Sequence, residues 1–146
     1  PYFEQDIFDG AVKMKGLEDP AYREALAKAT KLAGPEGIDA MLAKARVALI
    51  VQPTTGPAWL SDPVHGDQYA GPSASQLPAV SGYPHLTVPM GLVSGLPAGL
   101  SFIGPRHSEQ LLLNAGYAYE QRAKARAKPG YAATVATGKG LEAAAR

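Results

Sequence analysis

The 146-residue sequence predicts an α/β fold, part of a mixed sheet covered by helices. Three observations carry that expectation. Residues 47–51 read VALIV, a continuous apolar run of strand length, as expected for a central strand covered on both faces. The residues before it show helical spacing of apolar positions. Two further strand candidates, residues 85–89 and 98–103, precede a last helical stretch.

Taken in order, the elements have local reasons. Within residues 2–15, Ile7, Ala11 and Met14 fall at helical spacing and predict a short amphipathic helix ending at Gly16. Asp19-Pro20 reads as a helix start: Asp can accept from free amides, and proline at the first position sacrifices no hydrogen bond. Tyr22, Ala25, Leu26, Ala29, Leu32 and Ala33 form the expected buried stripe of that second helix. Gly34 is expected to end it in the left-handed conformation. Pro35-Glu36 then opens a third helix, with Ile38, Met41, Leu42 and Ala45 facing inward.

Residues 52–75 contain Pro53, Gly56, Pro57, Pro63, Gly66, Gly71 and Pro72 and almost no periodicity, which predicts a long loop. Loops of this length in a compact domain are usually functional or mobile. Residues 76–80 suit a short helix, and residues 90–97, with Gly91, Gly95 and Pro97, suit a hairpin connection. Ser108 is placed to cap a final helix whose buried face is Leu112, Ala115 and Tyr119, flanked by Leu111 and Ala118. Arg122, Lys124, Arg126 and Lys128 fall at its end, and Pro129-Gly130 should stop it. Residues 131–146, rich in Ala, Thr and Gly, read as a flexible tail after a 1–130 segment.

Composition narrows the function. Fourteen Lys plus Arg against thirteen Asp plus Glu leave a net charge of +1, which argues against a dedicated nucleic-acid binder. The absence of cysteine excludes disulfides, thiolate metal sites and cysteine nucleophiles. No run approaches a membrane span and no charged-then-apolar leader is seen, so a soluble, cytoplasmic protein with no membrane partner is expected.

No complete catalytic set can be assembled from the residues. The nearest approach to a G-x-S-x-G nucleophile elbow is Gly71-Pro72-Ser73-Ala74-Ser75, which lacks the second glycine. His65, His85 and His107 show no i,i+4 pairing, and only His65-Gly66-Asp67 sets a histidine beside a carboxylate, so no metal site is expected. Phosphate-cradling glycine motifs are absent, and no cofactor is expected. The basic cluster from Arg122 to Lys128 spreads around a helix and answers the negative end of its dipole. Trp59, the sole tryptophan, reads equally as a core anchor or a pocket wall.

A resemblance adds what the residues alone do not. Gly82-Tyr83-Pro84-His85-Leu86-Thr87-Val88-Pro89-Met90-Gly91 precedes Gly95-Leu96-Pro97-Ala98-Gly99-Leu100, then Ser108-Glu109, Leu111-Leu112 and Tyr117-Ala118-Tyr119-Glu120-Gln121. This order resembles the C-terminal end of the amidase signature family. There a G-[LY]-P-x-[ILV]-[ST]-V-P-x-G segment leads into G-L-P-x-G-[LV] and a last helix with a Y-E pair. The strand running into Gln52-Pro53-Thr54 is similar to that family's strand entering its active-site loop. In local terms, Pro89 should end its strand by removing a ladder donor. Gly99 and Gly104 suit close approach.

The resemblance implies hydrolysis of a carboxylic amide to acid and ammonia through an acyl-enzyme on serine, with a Ser–cis-Ser–Lys triad. That triad has no counterpart in this sequence. Lys13, Lys15, Lys28, Lys31 and Lys44 fall on expected helices, and no G-G-S-S-G-G-like run occurs. The implied role is therefore sheet scaffold and pocket wall, with no catalytic residue in the chain and inactivity when alone. Thr54, Thr55, Gly56 and Trp59 after the apolar strand, with Ser73 and Ser75, are the expected pocket contributors. Expected partners are a small amide substrate through the parent enzyme and an N-terminal catalytic half, or a second copy. Two alternatives stand beside this: a non-catalytic assembly module, and a segment of a subunit like the A subunit of glutamyl-tRNA amidotransferase.

Overall fold

The computed structural model describes residues 5–129 other than 60, 61, 63, 68, 70 and 72. The start of the first expected helix and the 131–146 tail lie outside the described residues. The elements run α1 (Asp6–Val12), α2 (Pro20–Ala33), a π-helical turn (Gly34–Asp39), α3 (Ala40–Ala45), β1 (Ile50–Pro53), α4 (Gln76–Ser81), β2 (His85–Val93), β3 (Leu96–Ile103) and α5 (Glu109–Ala123). This is an α/β fold, and its three strands form one sheet in the order β1-β3-β2. Both pairings are antiparallel.

Antiparallel registry sorts the side chains. Ile50 and His85 both oppose Ile103, and Gln52 and Thr87 both oppose Ser101, so these residues share one face with Gly99. Phe102, Leu100, Leu86 and Val88 alternate onto the other face. There α5 covers them: Val88, Phe102 and Leu112 form a buried cluster joined by Leu49, Leu86, Leu100, Ala115 and Tyr119. Gly116 brings the helix close, since a Cβ there would meet Leu86 Cδ2 at 2.5 Å. On the first face a second cluster of Ile38, Leu42, Ala74 and Ile103, with Ile50 and Tyr83, sits beneath the π-turn and α3.

Several expectations are corrected. The apolar run does not form a central strand. β1 begins only at Ile50, lies at an edge of the sheet, and leaves Val47 exposed. Neither of the first two helices buries its apolar stripe: α1 has no buried residue, and in α2 only Ala33 is buried while Leu26 is 50% and Leu32 53% exposed. Asp19 does cap α2, accepting from the Ala21 amide at 2.8 Å. Gly34 does not stop it, having φ −88° rather than a left-handed value. The chain widens into a π-turn instead, which lets Pro35 pass without an amide to contribute and without closing the helix. Gly34 is small for another reason: a Cβ would press 3.1 Å from the Tyr83 ring, whose hydroxyl donates to Asp39 at 2.7 Å. Met41 and Ala45 point outward, leaving Ile38 and Leu42 as the inner positions.

The hairpin is longer than the sequence suggests. Pro89 lies inside β2, where a bulge between Pro89 and Gly91 absorbs the missing donor, and the reversal is confined to Ser94 and Gly95. Both turn residues have positive φ, 51° and 80°, as a two-residue hairpin with native twist requires. Ser108 precedes α5 without capping it, because its hydroxyl donates to the Pro105 carbonyl at 2.6 Å. α5 stops at Ala123, with Lys124 left-handed, so Arg126 and Lys128 do not sit on the helix. Leu111 and Ala118 are exposed rather than packed.

Leu112→Ala should cost about 2–5 kcal/mol, the usual range for emptying a buried leucine site. Leu113→Ala, 56% exposed on the same helix, should cost less than about 0.5 kcal/mol. Urea denaturation of the two variants checks the contrast.

Candidate functional site

Thr54, the residue after β1, ties together the segments that the sequence singled out. Its amide donates to the Gly99 carbonyl at 2.8 Å, and its own carbonyl accepts from the Ala74 amide at 2.9 Å. The long loop therefore returns to its starting point. A Cβ on Gly71 would meet Gly56 Cα at 3.1 Å, so two glycines let the strands of the loop pass at a neck. Beyond the neck the loop packs on itself. Trp59 meets Tyr69 edge to face at 5.3 Å and donates to Asp67 at 3.2 Å. Asp62 accepts from the Val64 and His65 amides and pairs with His65 Nδ1 at 2.9 Å, and those bonds hold its carboxyl below the usual range. The two ends of the loop lie together, as in an Ω-loop, and Trp59 contacts Tyr69 and Asp67 within it.

Below the neck, four polar side chains, two from β2, one from β3 and one from the residue after β1, form one chain of hydrogen bonds. His85 Nε2 lies 2.6 Å from Ser101 Oγ, Ser101 donates to Thr54 Oγ1 at 2.8 Å, and Thr54 Oγ1 lies 2.5 Å from Thr87 Oγ1. Since the Ser101 hydrogen is committed to Thr54, Ser101 accepts from His85, which fixes the imidazole proton on Nε2. Ser101 is wholly buried, and an unpaired hydroxyl there would be costly. Burial pushes the His85 pKa below its ordinary value, keeping the ring neutral at pH 7. Gly99 makes room for the group: a Cβ would lie 2.7 Å from Thr87 Oγ1 and 2.8 Å from Thr54 Oγ1.

Of the expected pocket contributors, the structure brings Thr54, Ser73 and Ser75 together. Ser73 and Ser75 share a hydrogen bond of 3.0 Å on either side of Ala74, and Ser73 opens onto a cleft of about 330 Å³ walled by Gln52, Gln76, Met41 and Ile103. Gly56 stands at the neck. Thr55 turns away toward Tyr69, donating at 3.4 Å, and Trp59 packs within the loop, 40% exposed, so it is no core anchor. Among the described residues neither serine is hydrogen-bonded to a histidine or a lysine. His65 pairs with Asp62, not with Asp67. No group of three or more His, Asp or Glu side chains able to hold a metal occurs among the described residues. Sequence reasoning gave His85, Thr87 and Ser101 no role. The available signal was polar residues at alternate positions of otherwise apolar strands, on the face that Thr54 joins.

The fold and the sequence together match a portion of the amidase signature enzymes. A bacterial aryl acylamidase of that family, at 24% identity, shares the fold with a TM-score of 0.53 over 80% of this chain. More similar is the peptide amidase of Stenotrophomonas maltophilia, 48% identical with a TM-score of 0.79 over 88% of this chain and 26% of its own. Peptide amidase bound to the competitive inhibitor chymostatin gives 47% and 0.84 over 89% and 26%. The A subunit of glutamyl-tRNA(Gln) amidotransferase from Lachnospira eligens is 36% identical over 115 residues, 76% of this chain and 20% of the relative. The chain thus spans about a quarter or less of the proteins it matches. No protein-family model matches it. No helix among the described residues is long and apolar enough to cross a membrane.

Gly99→Ala should destabilise by about 1–3 kcal/mol, because a methyl would intrude on two β-branched side chains with no freedom to withdraw. The pH dependence follows from His85. The folded state binds its proton less readily than the unfolded state, so stability should decline as pH falls from 7 toward 5. His85→Gln, which keeps a donor for Ser101 but cannot titrate, should decline less over that window. Thermal melts at several pH values measure both.

Proposed function

We propose that this chain is the C-terminal portion of an amidase that hydrolyses the amide of a peptide to acid and ammonia, and that it supplies sheet scaffold and pocket wall. In the reaction the resemblance implies, a serine oxygen attacks the amide carbonyl and the C–N bond breaks as the nitrogen leaves protonated. Water then releases the acid. The serine pair and lysine for those steps are assigned to the rest of the enzyme. The observation that carries this reading is the match to peptide amidase, closer in identity and in share of this chain than the match to the amidotransferase A subunit.

In this reading Thr54, Gly56, Ser73 and Ser75 face the substrate at the end of β1, with Thr55 and Trp59 shaping the loop above. Residues 1–130 form the amidase-like segment and residues 131–146 a tail. The partner is the N-terminal catalytic half. Two features favour it: among the described residues β1 and β2 each present an unpaired edge, and α1 and α2 carry apolar stripes without cover. The enzyme is assigned to the cytoplasm, in keeping with a sequence free of cysteine.

The purified chain should release no ammonia from a peptide amide. Mixing it with the N-terminal three quarters of a peptide amidase should restore release. Turnover by the chain alone that disappears in Ser73→Ala would overturn the assignment.

A further inference from the structure

The cleft of about 330 Å³ that Ser73 lines is built from two kinds of side chain. Ile50 and Gln52 alternate onto one face of β1, and Ile103 opposes Ile50 on that face, where Ile38 and Ala74 pack against it. All of them line the cleft, which therefore lies on the side of the sheet away from α5. Ile38 and Ile103 are its buried walls and Ile50 is half-buried, while Met41 of α3 and Leu77 of α4 are exposed walls. No charged side chain lines it. Its polar groups are the carboxamides of Gln52 and Gln76 and the Ser73 hydroxyl. Ser73 is bonded to Ser75, whereas neither carboxamide is hydrogen-bonded among the described residues.

The cleft is at the small end of ligand sites, which run from about 300 to 1,000 Å³. Its aliphatic walls gain by covering an apolar side chain. A charged side chain would lose hydration there and meet no counter-ion. A carboxamide brings both donors and an acceptor, and a peptide main chain asks for both at each residue.

Resting on the amidase reading above, we propose that this cleft is a side-chain subsite for the peptide substrate. It takes an apolar side chain and rejects a charged one, and Gln52 and Gln76 bond the main chain beside it. Met41 and Leu77, the exposed walls, set the preference. The test is an amide-resolved NMR titration of the full chain with N-acetyl-leucinamide, beside N-acetylglycinamide and N-acetyl-lysinamide. The leucine amide should saturate, move the Ala74 and Leu77 amide signals, and bind at least about tenfold more tightly than the other two. Met41→Glu, at an exposed helical position, should reverse the order of the leucine and lysine amides, and loss of structure does not produce such a reversal. Gln76→Ala should weaken the leucine amide and leave its preference over the glycine amide. Equal binding of the three amides, shifts that do not saturate, or an unchanged order in Met41→Glu would each overturn the subsite. Binding needs no turnover, so these outcomes decide the subsite even where the reconstituted enzyme releases no ammonia and the amidase reading falls. Ammonia release with no preference for the leucine amide would overturn the subsite alone.

Discussion

β3 is hydrogen-bonded along both of its edges, and the strict alternation of its side chains decides what each face of the sheet can do. Phe102 and Leu100 turn toward α5, while Ser101 and Gly99 turn toward the loop neck. A slip of one residue in either pairing would exchange the two sets, burying a serine against Leu112 and exposing Phe102. The register is held on both sides of that risk. Apolar packing of Phe102 on Leu112 and Tyr119 favours one face, and a bonded partner for buried Ser101 is available only on the other. Polar and apolar terms therefore specify the same register, which is the consistency expected of a foldable sequence.

The two faces are unequal in how far they are covered. α5 lies along one face and closes it. The other is covered only where Ile38 and Leu42 meet Ile103 and Ala74, and beyond that it passes into the polar chain and the clefts beside it. α1 and α2 add little, since their apolar side chains remain exposed. Helical amphipathicity without burial provides no driving force for holding a helix in place. Among the described residues those stripes stay uncovered, and the outer edges of β1 and β2 have no strand beside them.

What the sequence made legible was local and covalent in origin. Asp19-Pro20 marked a helix start correctly because the capping geometry depends on adjacent residues. Gly82, which the sequence marks only within a motif, ends α4 at φ 73°, and Pro84 leads into β2 beside Tyr83 anchored on Asp39. Errors arose where a tertiary contact outweighed a local rule. Gly34 reads as a terminator, yet it is small to admit Tyr83. Pro89 reads as a strand end, yet a bulge absorbs it. The VALIV run reads as a central strand, yet its first residues stay outside the sheet. The polar chain was illegible because its members are separated by as many as 47 residues and meet only once the register is known.

Thr54 shows why the candidate site gathers where it does. Its amide is bonded to β3, its carbonyl to Ala74, and its hydroxyl to both Ser101 and Thr87. One residue thus fixes the end of an edge strand, the return of the long loop and the centre of the polar chain. Ser73 and Ser75 take their positions from the Ala74 bond. Displacing the loop neck would move them and strip a partner from Ser101 in the same step. A loop carrying two hydroxyls is in this way held with the rigidity of the sheet. Because Gly99 permits that close approach, the smallest residue of β3 makes room for the hydroxyls of Thr54 and Thr87.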